Sequence, residues 1–307
     1  PERRFNLLND YLFLKVMGEK GDEEQLLGFL NAVLQKNDAD KLVSVEILED
    51  KTFSPEVIGD KSSILDLRAR TDGNRRVNIE VQIRNLGNMD KRSLFYWSRE
   101  YSKSLEAGRD YSELPNVVAI NIVNFEFIRT ENFHCRFHLW EDSDRTYMLT
   151  DALEIHFVDM VKFRRIGEKD VRNDPLQRWL SYFDPGSPKS LVEEAMKMDV
   201  SIRKAEEKLA LVSSDKEALR AYQMREMALS DWTSGVNFAR SEGLNEGLRK
   251  GIQQGRMEGR MEGLNEGLRK GRMESRYEIA GSFKDMGISV DQIAQATGLS
   301  PDEIAKL

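Results

Sequence analysis

Two carboxylates and an amide, Asp66, Glu80 and Gln82, interrupt the apolar runs of ILDLRARTDGNRRVNIEVQIR, residues 64 to 84. Read as a hairpin with a three-residue turn at Asp72, Gly73 and Asn74, where glycine is free to take positive φ, the stretch pairs Thr71 with Arg75 and sets Asp66 opposite Glu80. Their Cβ atoms then stand about 4.5–5.5 Å apart. Period-two alternation places Leu65, Leu67, Ile79, Val81 and Ile83 on one face and Asp66, Glu80 and Gln82 on the other. The first face is core and the second a site. Two carboxylates this close do not both ionise cheaply without a cation between them, and hard oxygen ligands on adjacent strands suit Mg²⁺, which is typically held by one or two carboxylates plus a substrate phosphate. The plainer alternative pairs each carboxylate with a nearby arginine, such as Arg68 or Arg76, in ion pairs that contribute only about 0–1 kcal/mol at a surface.

The surroundings favour a polyanionic substrate. Between residues 64 and 103 there are nine lysines and arginines against five acids, a net +4 within a chain of −7. A carboxylate pair in a locally basic surface is what a phosphodiester requires: cations to hold the backbone and a metal at the scissile phosphate. Arg92, Tyr96 and Arg99 share one face of a helix by their spacing and are expected to track a phosphate strand, with a solvated stripe as the alternative.

Several elements must position these groups. FNLLNDYLFLKVMGEKGDEEQLLGFLNAVLQ has helical spacing, and two helices broken at residues 18–21 are expected. Strands follow at KLVSVEIL, SSILDLRAR and RVNIEVQI, then an amphipathic helix, MDKRSLFYWSREYSKSLEAG, closed by Gly108. VVAINIVNF reads as a buried strand, and ENFHCRFHLW and YMLTDALEIHFVDM as further β structure. The economical fold class is α/β, a central mixed sheet flanked by helices, followed by an α-helical C-terminal region. His134, Cys135 and His138 are not read as a metal site, because the two histidines stand about 13 Å apart along a strand with the cysteine pointing the other way.

At these residues the chain resembles the PD-(D/E)XK nuclease family transposases, also called recombination-promoting nucleases. The resemblance rests on ILDLRA, the turn, NIEVQI and KRSLFYWSREYSKSLEAGRDY. It extends to NDYLFLKVMG, LEIHFVDMVKF, the glycine-rich repeat and the terminal IAQATGLS, nearly the whole chain. It implies a restriction-endonuclease-like core that makes metal-dependent cuts in DNA, with Asp66 the first acid, Glu80 the second, and Gln82 where the wider superfamily has lysine. Glutamine orients a water but supplies no positive charge and abstracts no proton, so the metal alone activates the water or a basic residue, Lys91 or Arg92, comes from the following helix. The resemblance also gives Asp10 to the metal, since the first helix of such cores often lends an acid; the alternative is helix capping by Asn9 and Asp10.

Pro185 to Pro188, in DPGSPKS, read as a linker, so the expected division is 1–185 nuclease-like, 186–280 helical, and 281–307 a small terminal module. Within the helical part, EGLNEGLRKG occurs identically at 242–251 and 262–271, and eight glycines fall at every fourth position from 243 to 271. Glycine costs roughly 1 kcal/mol relative to alanine in a helix, so a partner surface is expected to offset the stripe, and a homo-oligomer through the repeat is the leading reading against a flexible charged linker. ISVDQIAQATGLSPDEIAKL has helix-turn-helix spacing with capping boxes at Ser289…Gln292 and Ser300…Glu303, but Asp302 and Glu303 at the second helix start would repel phosphates, so a packing or docking cap is expected. One cysteine, no signal-like leader and no membrane-length apolar run point to a soluble cytoplasmic protein, and the net −7 argues against coating nucleic acid over the whole surface.

The leading expectation is therefore a Mg²⁺-dependent DNA endonuclease of low sequence specificity, tied to recombination or mobile elements. In it Asp66, Glu80 and Asp10 hold metal, Gln82 places water, and Lys91, Arg92 and Arg99 bind DNA. The rival is a catalytically weak nuclease-fold protein that binds DNA and assembles through the repeat; a weaker third reading is a regulator that reads DNA with the terminal module.

Overall fold

The computed structural model describes residues 4–36, 39–48, 66–105 and 108–307, in two compact units, 1–233 and 234–307. Residues 62–65 of the expected second strand lie outside the described residues. In the first unit α1 (Asp10–Met17) and α2 (Glu23–Val33) precede β1 (Val45–Ile47), β2 (Asp66–Thr71) and β3 (Arg76–Gln82). Then come α3 (Met89–Lys103), β4 (Val117–Val123), β5 (His134–Trp140), β6 (Met148–Asp159) and the short α4 (Met160–Arg165). The described strands form one mixed sheet in the order β1-β2-β3-β4-β6-β5, with β3, β4 and β6 parallel and the others antiparallel to their neighbours. This is the α/β class expected from the alternation of strand and helix patterns.

Each face of the sheet buries a different partner. Leu67, Ala69, Ile79, Val81, Ile120 and Ile122 face a large core with α1, α2 and α5 (Pro175–Phe183), where the rings of Phe13, Phe29, Trp179 and Phe183 meet. On the opposite face Ala119, Val123, Ile155 and Phe157 pack against Met89 and Trp97 of α3. That second, thinner core seats α3 above the face that carries Asp66 and Glu80.

The Pro185–Pro188 turn is not the end of this unit. Beyond it, α6 (Lys189–Met198) and α7 (Val200–Ser214) bury Val192, Ala195, Ile202, Ala205 and Leu209 in the large core, and the unit runs on to Thr233. Helices α2 and α7 approach so closely that a Cβ on Gly28 would lie 2.6 Å from Ser201 Cβ, which accounts for glycine there. Apolar spacing within charged sequence hid this packing.

Asp22, at the entry to α2, is only 4% exposed, and burial pushes its carboxyl up to about 6 despite Lys208 Nζ at 3.3 Å. A carboxyl raised in the folded state favours folding below its unfolded value and loses that contribution as pH rises through 6. The stability of wild type relative to Asp22→Asn is therefore expected to fall by up to about 3 kcal/mol between pH 4 and 7, at about 1.4 kcal/mol per pKa unit. Urea titrations of both proteins at the two pH values check this; a constant difference contradicts it.

In the second unit, α8 (Lys216–Asp285), which begins in the first, carries the glycine repeat, and α9 (Val290–Thr297) and α10 (Pro301–Ala305) follow. Ala280, Ile293, Leu299 and Ile304 form a small core with Tyr277 and Phe283 beside it. Gly298 ends α9 in the left-handed region at φ +69, where glycine is favoured. The capping box at Ser300 and Glu303 forms, whereas the Ser289 hydroxyl bonds to Gln292 Oε1 and caps no backbone N–H.

Candidate active site

The hairpin brings the two carboxylates together. Asp66 is directly opposite Glu80, with Leu67 opposite Ile79 and Arg68 opposite Asn78. The turn differs in one detail: Asn74, not Gly73, takes the left-handed conformation, φ 55, and its N–H bonds back to Thr71 O at 3.0 Å. A three-residue hairpin needs that conformation at its last position, and asparagine tolerates it better than other side chains with a Cβ. Glu80 also pairs in parallel register with Asn121 of β4. Asn121 Nδ2 donates to His156 O at 3.0 Å, and Ser93 of α3 donates to Asn121 Oδ1 at 2.9 Å. Trp97 Nε1 donates to Val117 O at 2.9 Å, which fixes the next turn of α3 over the same face.

Arginines sit on every carboxylate of the site. Arg68 Nε lies 3.2 Å from Asp66 Oδ2 and 3.1 Å from Glu100 Oε1, so it bridges β2 to α3. Arg92 Nε donates to Glu80 Oε1 at 2.9 Å, and its Nη2 donates to Tyr96 Oη at 3.1 Å. Asp10 accepts two bonds from Arg225 of α8, at 2.8 and 2.6 Å, and Arg225 is 1% exposed. Burial pushes the Glu80 carboxyl above its usual range; Arg92 opposes that, and the negative charges of Asp66 and Asp10 add to it. Three acids from α1, β2 and β3 therefore lie within electrostatic reach of one point.

The other expected residues divide between site and surface. Gln82 is buried on the Glu80 face of β3. Asn9 is the N-cap of α1, accepting from Leu12 N, and Asp10, the first helical residue, accepts both Arg225 bonds while its Oδ1 also takes the first-turn N–H of Tyr11. Lys91 and Arg99 are exposed on α3. Arg92 does not lie on that solvated stripe: its guanidinium turns down onto Glu80 and the Tyr96 ring, 5.1 Å from the ring centroid. The plainer alternative, a nearby arginine on each carboxylate, is what the structure shows: Arg68 lies on Asp66 as named, and Arg92 rather than Arg76 lies on Glu80.

Two groups were not legible as site neighbours. Arg225 follows Asp10 by 215 residues, and Glu100 was one charge among many on an amphipathic helix. The acid at the helix start and the apolar entry of α8 are both readable, but nothing in their spacing joins them. A third network lies further along the sheet, where His134 Nε2 meets His156 Nδ1 at 2.8 Å and His156 Nε2 meets Glu154 Oε1 at 2.9 Å. Burial pushes His134 down to about 4, so its ring is neutral at pH 7.

Among the described residues no three His, Cys, Asp or Glu side chains are gathered closely enough to hold a metal ion by themselves. The chemistry of the donor set nonetheless fits a hard divalent cation, since two facing carboxylates and a neighbouring amide oxygen are oxygen ligands of the kind Mg²⁺ takes alongside substrate phosphate.

A mixed sheet with helices on both faces, facing acids on its second and third strands and a basic helix laid across them, defines a nuclease-like α/β domain. The chain belongs to the PD-(D/E)XK nuclease family transposases, whose family model matches residues 7–239. No curated protein and no solved structure matches the chain. The family match extends past the 185–188 turn and into α8, in step with the packing of α6, α7 and Arg225 on the core.

Proposed function

We propose that the protein is a Mg²⁺-dependent DNA endonuclease of low sequence specificity, acting in recombination or the movement of genetic elements. The observation that carries this reading is the Asp66–Glu80 register in a chain of a nuclease family. Asp66 and Glu80 would hold the metal, while Asp10, both of whose oxygens are held by Arg225, would lend the site its nearby negative charge rather than a ligand atom. A bound Mg²⁺ would supply charge stabilisation at the scissile phosphate. Gln82, two residues beyond Glu80 on the same face, orients the attacking water through its amide. Lys91 and Arg99, exposed on α3, hold the backbone on either side. Conversion of supercoiled plasmid with and without Mg²⁺ tests the reading.

A second reading is favoured by the arginine on each acid: a nuclease fold retained as a DNA-binding platform and assembled through the repeat. Cleavage by Asp66→Ala equal to that of wild type would remove the proposed site, and no cleavage by wild type and Gln82→Lys alike would move the balance to this second reading. No described helix is long and apolar enough to cross a membrane, and a cytoplasmic location is part of the proposal.

Self-association belongs to both readings. Leu244, Leu248, Ile252, Met257, Met261, Leu264 and Leu268 are all exposed beside the glycines of α8. A four-residue step drifts about 40° around the helix, in the sense opposite to a heptad, so helices meeting along it cross right-handedly. A Cβ at Gly255 or Gly259 meets nothing within 4 Å, so leucine at both positions is accommodated in the single chain and raises helix propensity. The double variant Gly255→Leu, Gly259→Leu is expected to fall to a lower mass by light scattering while an isolated repeat peptide gains helicity. The same number of chains per particle for wild type, the variant and a chain truncated after Ser241 would eliminate association through the repeat.

A further inference from the structure

The three arginine–carboxylate pairs of the site are not alike. Arg225 holds both oxygens of Asp10, and the two side chains are 1% and 7% exposed. Such a bidentate, fully desolvated pair is strong and directional, and it fixes α8 to α1. Arg92 instead gives Glu80 one bond, from Nε, and at 14% side-chain exposure it rises from a helix whose next turn, with Phe95 and Arg99, is open to solvent. It also has a second resting place, the hydroxyl and ring face of Tyr96. Arg68 is likewise shared, between Asp66 and Glu100. Both members of the facing acid pair can thus give up a guanidinium without leaving it stranded, whereas Asp10 cannot.

We propose that Arg92 is an exchangeable counter-ion: it neutralises Glu80 until a divalent cation takes that place, and the guanidinium so released moves to a phosphate of the DNA. The proposal rests on the reading of Asp66 and Glu80 as the metal-holding pair, and it adds how that pair is regulated. The physical need is plain. Glu80 is 1% exposed, and an unpaired carboxylate at that depth is costly, so some positive charge must stand beside it in the metal-free state. When a cation supplies that charge, Arg92 becomes surplus inside the site and is already on the helix that presents Lys91 and Arg99 outward. Metal and DNA then favour each other through one side chain, and each must raise the affinity of the other by the same factor. The basic helix over the site is thereby both gate and binding surface.

Removing the competitor should tighten the cation and loosen the DNA. For Arg92→Gln, Mn²⁺ affinity without DNA, read from loss of the free-ion paramagnetic resonance signal, is expected to rise about tenfold, the loss of one charged hydrogen bond. Affinity for a 20-base-pair duplex, measured in Ca²⁺, is expected to fall, with a salt slope lower by about one unit. Mn²⁺ affinity equal to or weaker than wild type overturns the proposal. Where Arg92→Gln is too unstable to titrate, melting temperatures serve: Mn²⁺ must raise that of the variant more than that of wild type, and a variant that stays unfolded in saturating Mn²⁺ overturns it too. Asp66→Ala separates the two ideas. If it binds Mn²⁺ as wild type does, the metal-site reading itself fails; if it loses Mn²⁺ while Arg92→Gln is unchanged, the exchange alone fails.

Discussion

Arg225→Ala is expected to lower the unfolding free energy by about 3–5 kcal/mol, the loss that follows when one partner of a buried ion pair is removed and the other left uncompensated. The geometry supports the upper part of that range. Asp10 is 6% exposed and accepts both guanidinium bonds, at 2.8 and 2.6 Å, although it keeps its own backbone contact to Tyr11 N at 3.0 Å. The pair joins the first helix to the long helix near the start of the latter, where Tyr222 also meets Phe5 edge-on at 5.5 Å. Apolar replacement of both partners, Asp10→Leu with Arg225→Met, should restore much of the stability, because the desolvation penalty goes with the charges. Denaturant titrations of the two single variants and the double variant check this. A loss below about 1 kcal/mol for Arg225→Ala would mean that the long helix is not locked to the site through this pair.

Glu80→Gln should do the reverse: it should abolish cleavage and leave stability at pH 8 unchanged or higher. The folded protein holds the Glu80 carboxyl above its ordinary value, chiefly through burial and then through Asp66 and Asp10, with Arg92 opposing. A raised carboxyl favours folding below its unfolded value and loses that contribution as pH rises, so in alkaline solution the carboxyl carries a cost that an amide does not. Gln keeps the shape and an acceptor for Arg92 and removes the charge. Cleavage is expected to fall about a thousandfold or more, since a metal contributes several kcal/mol to the reaction and each 1.4 kcal/mol is a factor of ten. Thermal melts and single-turnover cleavage on one preparation check the pair of outcomes. Loss of activity with a large drop in stability would assign Glu80 to the fold instead.

The register of the site was legible because two independent constraints agreed. A three-residue turn and strict alternation around it leave one pairing, Asp66 with Glu80, and a one-residue slip would have exposed Leu67, Ile79 and Val81. The division of faces followed from the same alternation. Arg68 could be named from the sequence as a partner for Asp66, but the arginine that sits on Glu80 could not. Which arginine reaches Glu80 depends on how far along the sheet α3 is seated, and that is set by Met89, Trp97 and the Ser93–Asn121 bond. Local charge counts carry none of that information. Arg92 therefore read as one member of a phosphate-facing stripe, although its neighbours Lys91 and Arg99 are exposed as that reading requires. The turn at 185–188 misled in a similar way. Proline and glycine mark it as a break in secondary structure, which it is, but the amphipathic helices beyond it return to the same core.

The central claim is that Asp66 and Glu80 form a metal-dependent centre for phosphodiester hydrolysis. Its most direct test is the relaxation of supercoiled plasmid by purified wild type and Asp66→Ala, each in Mg²⁺ and in chelator. Wild type should nick the plasmid in Mg²⁺ and leave it intact in chelator, while Asp66→Ala, with an unchanged circular dichroism spectrum, should leave it intact in both. Equal nicking by the two proteins, or nicking by wild type in chelator, would contradict the account.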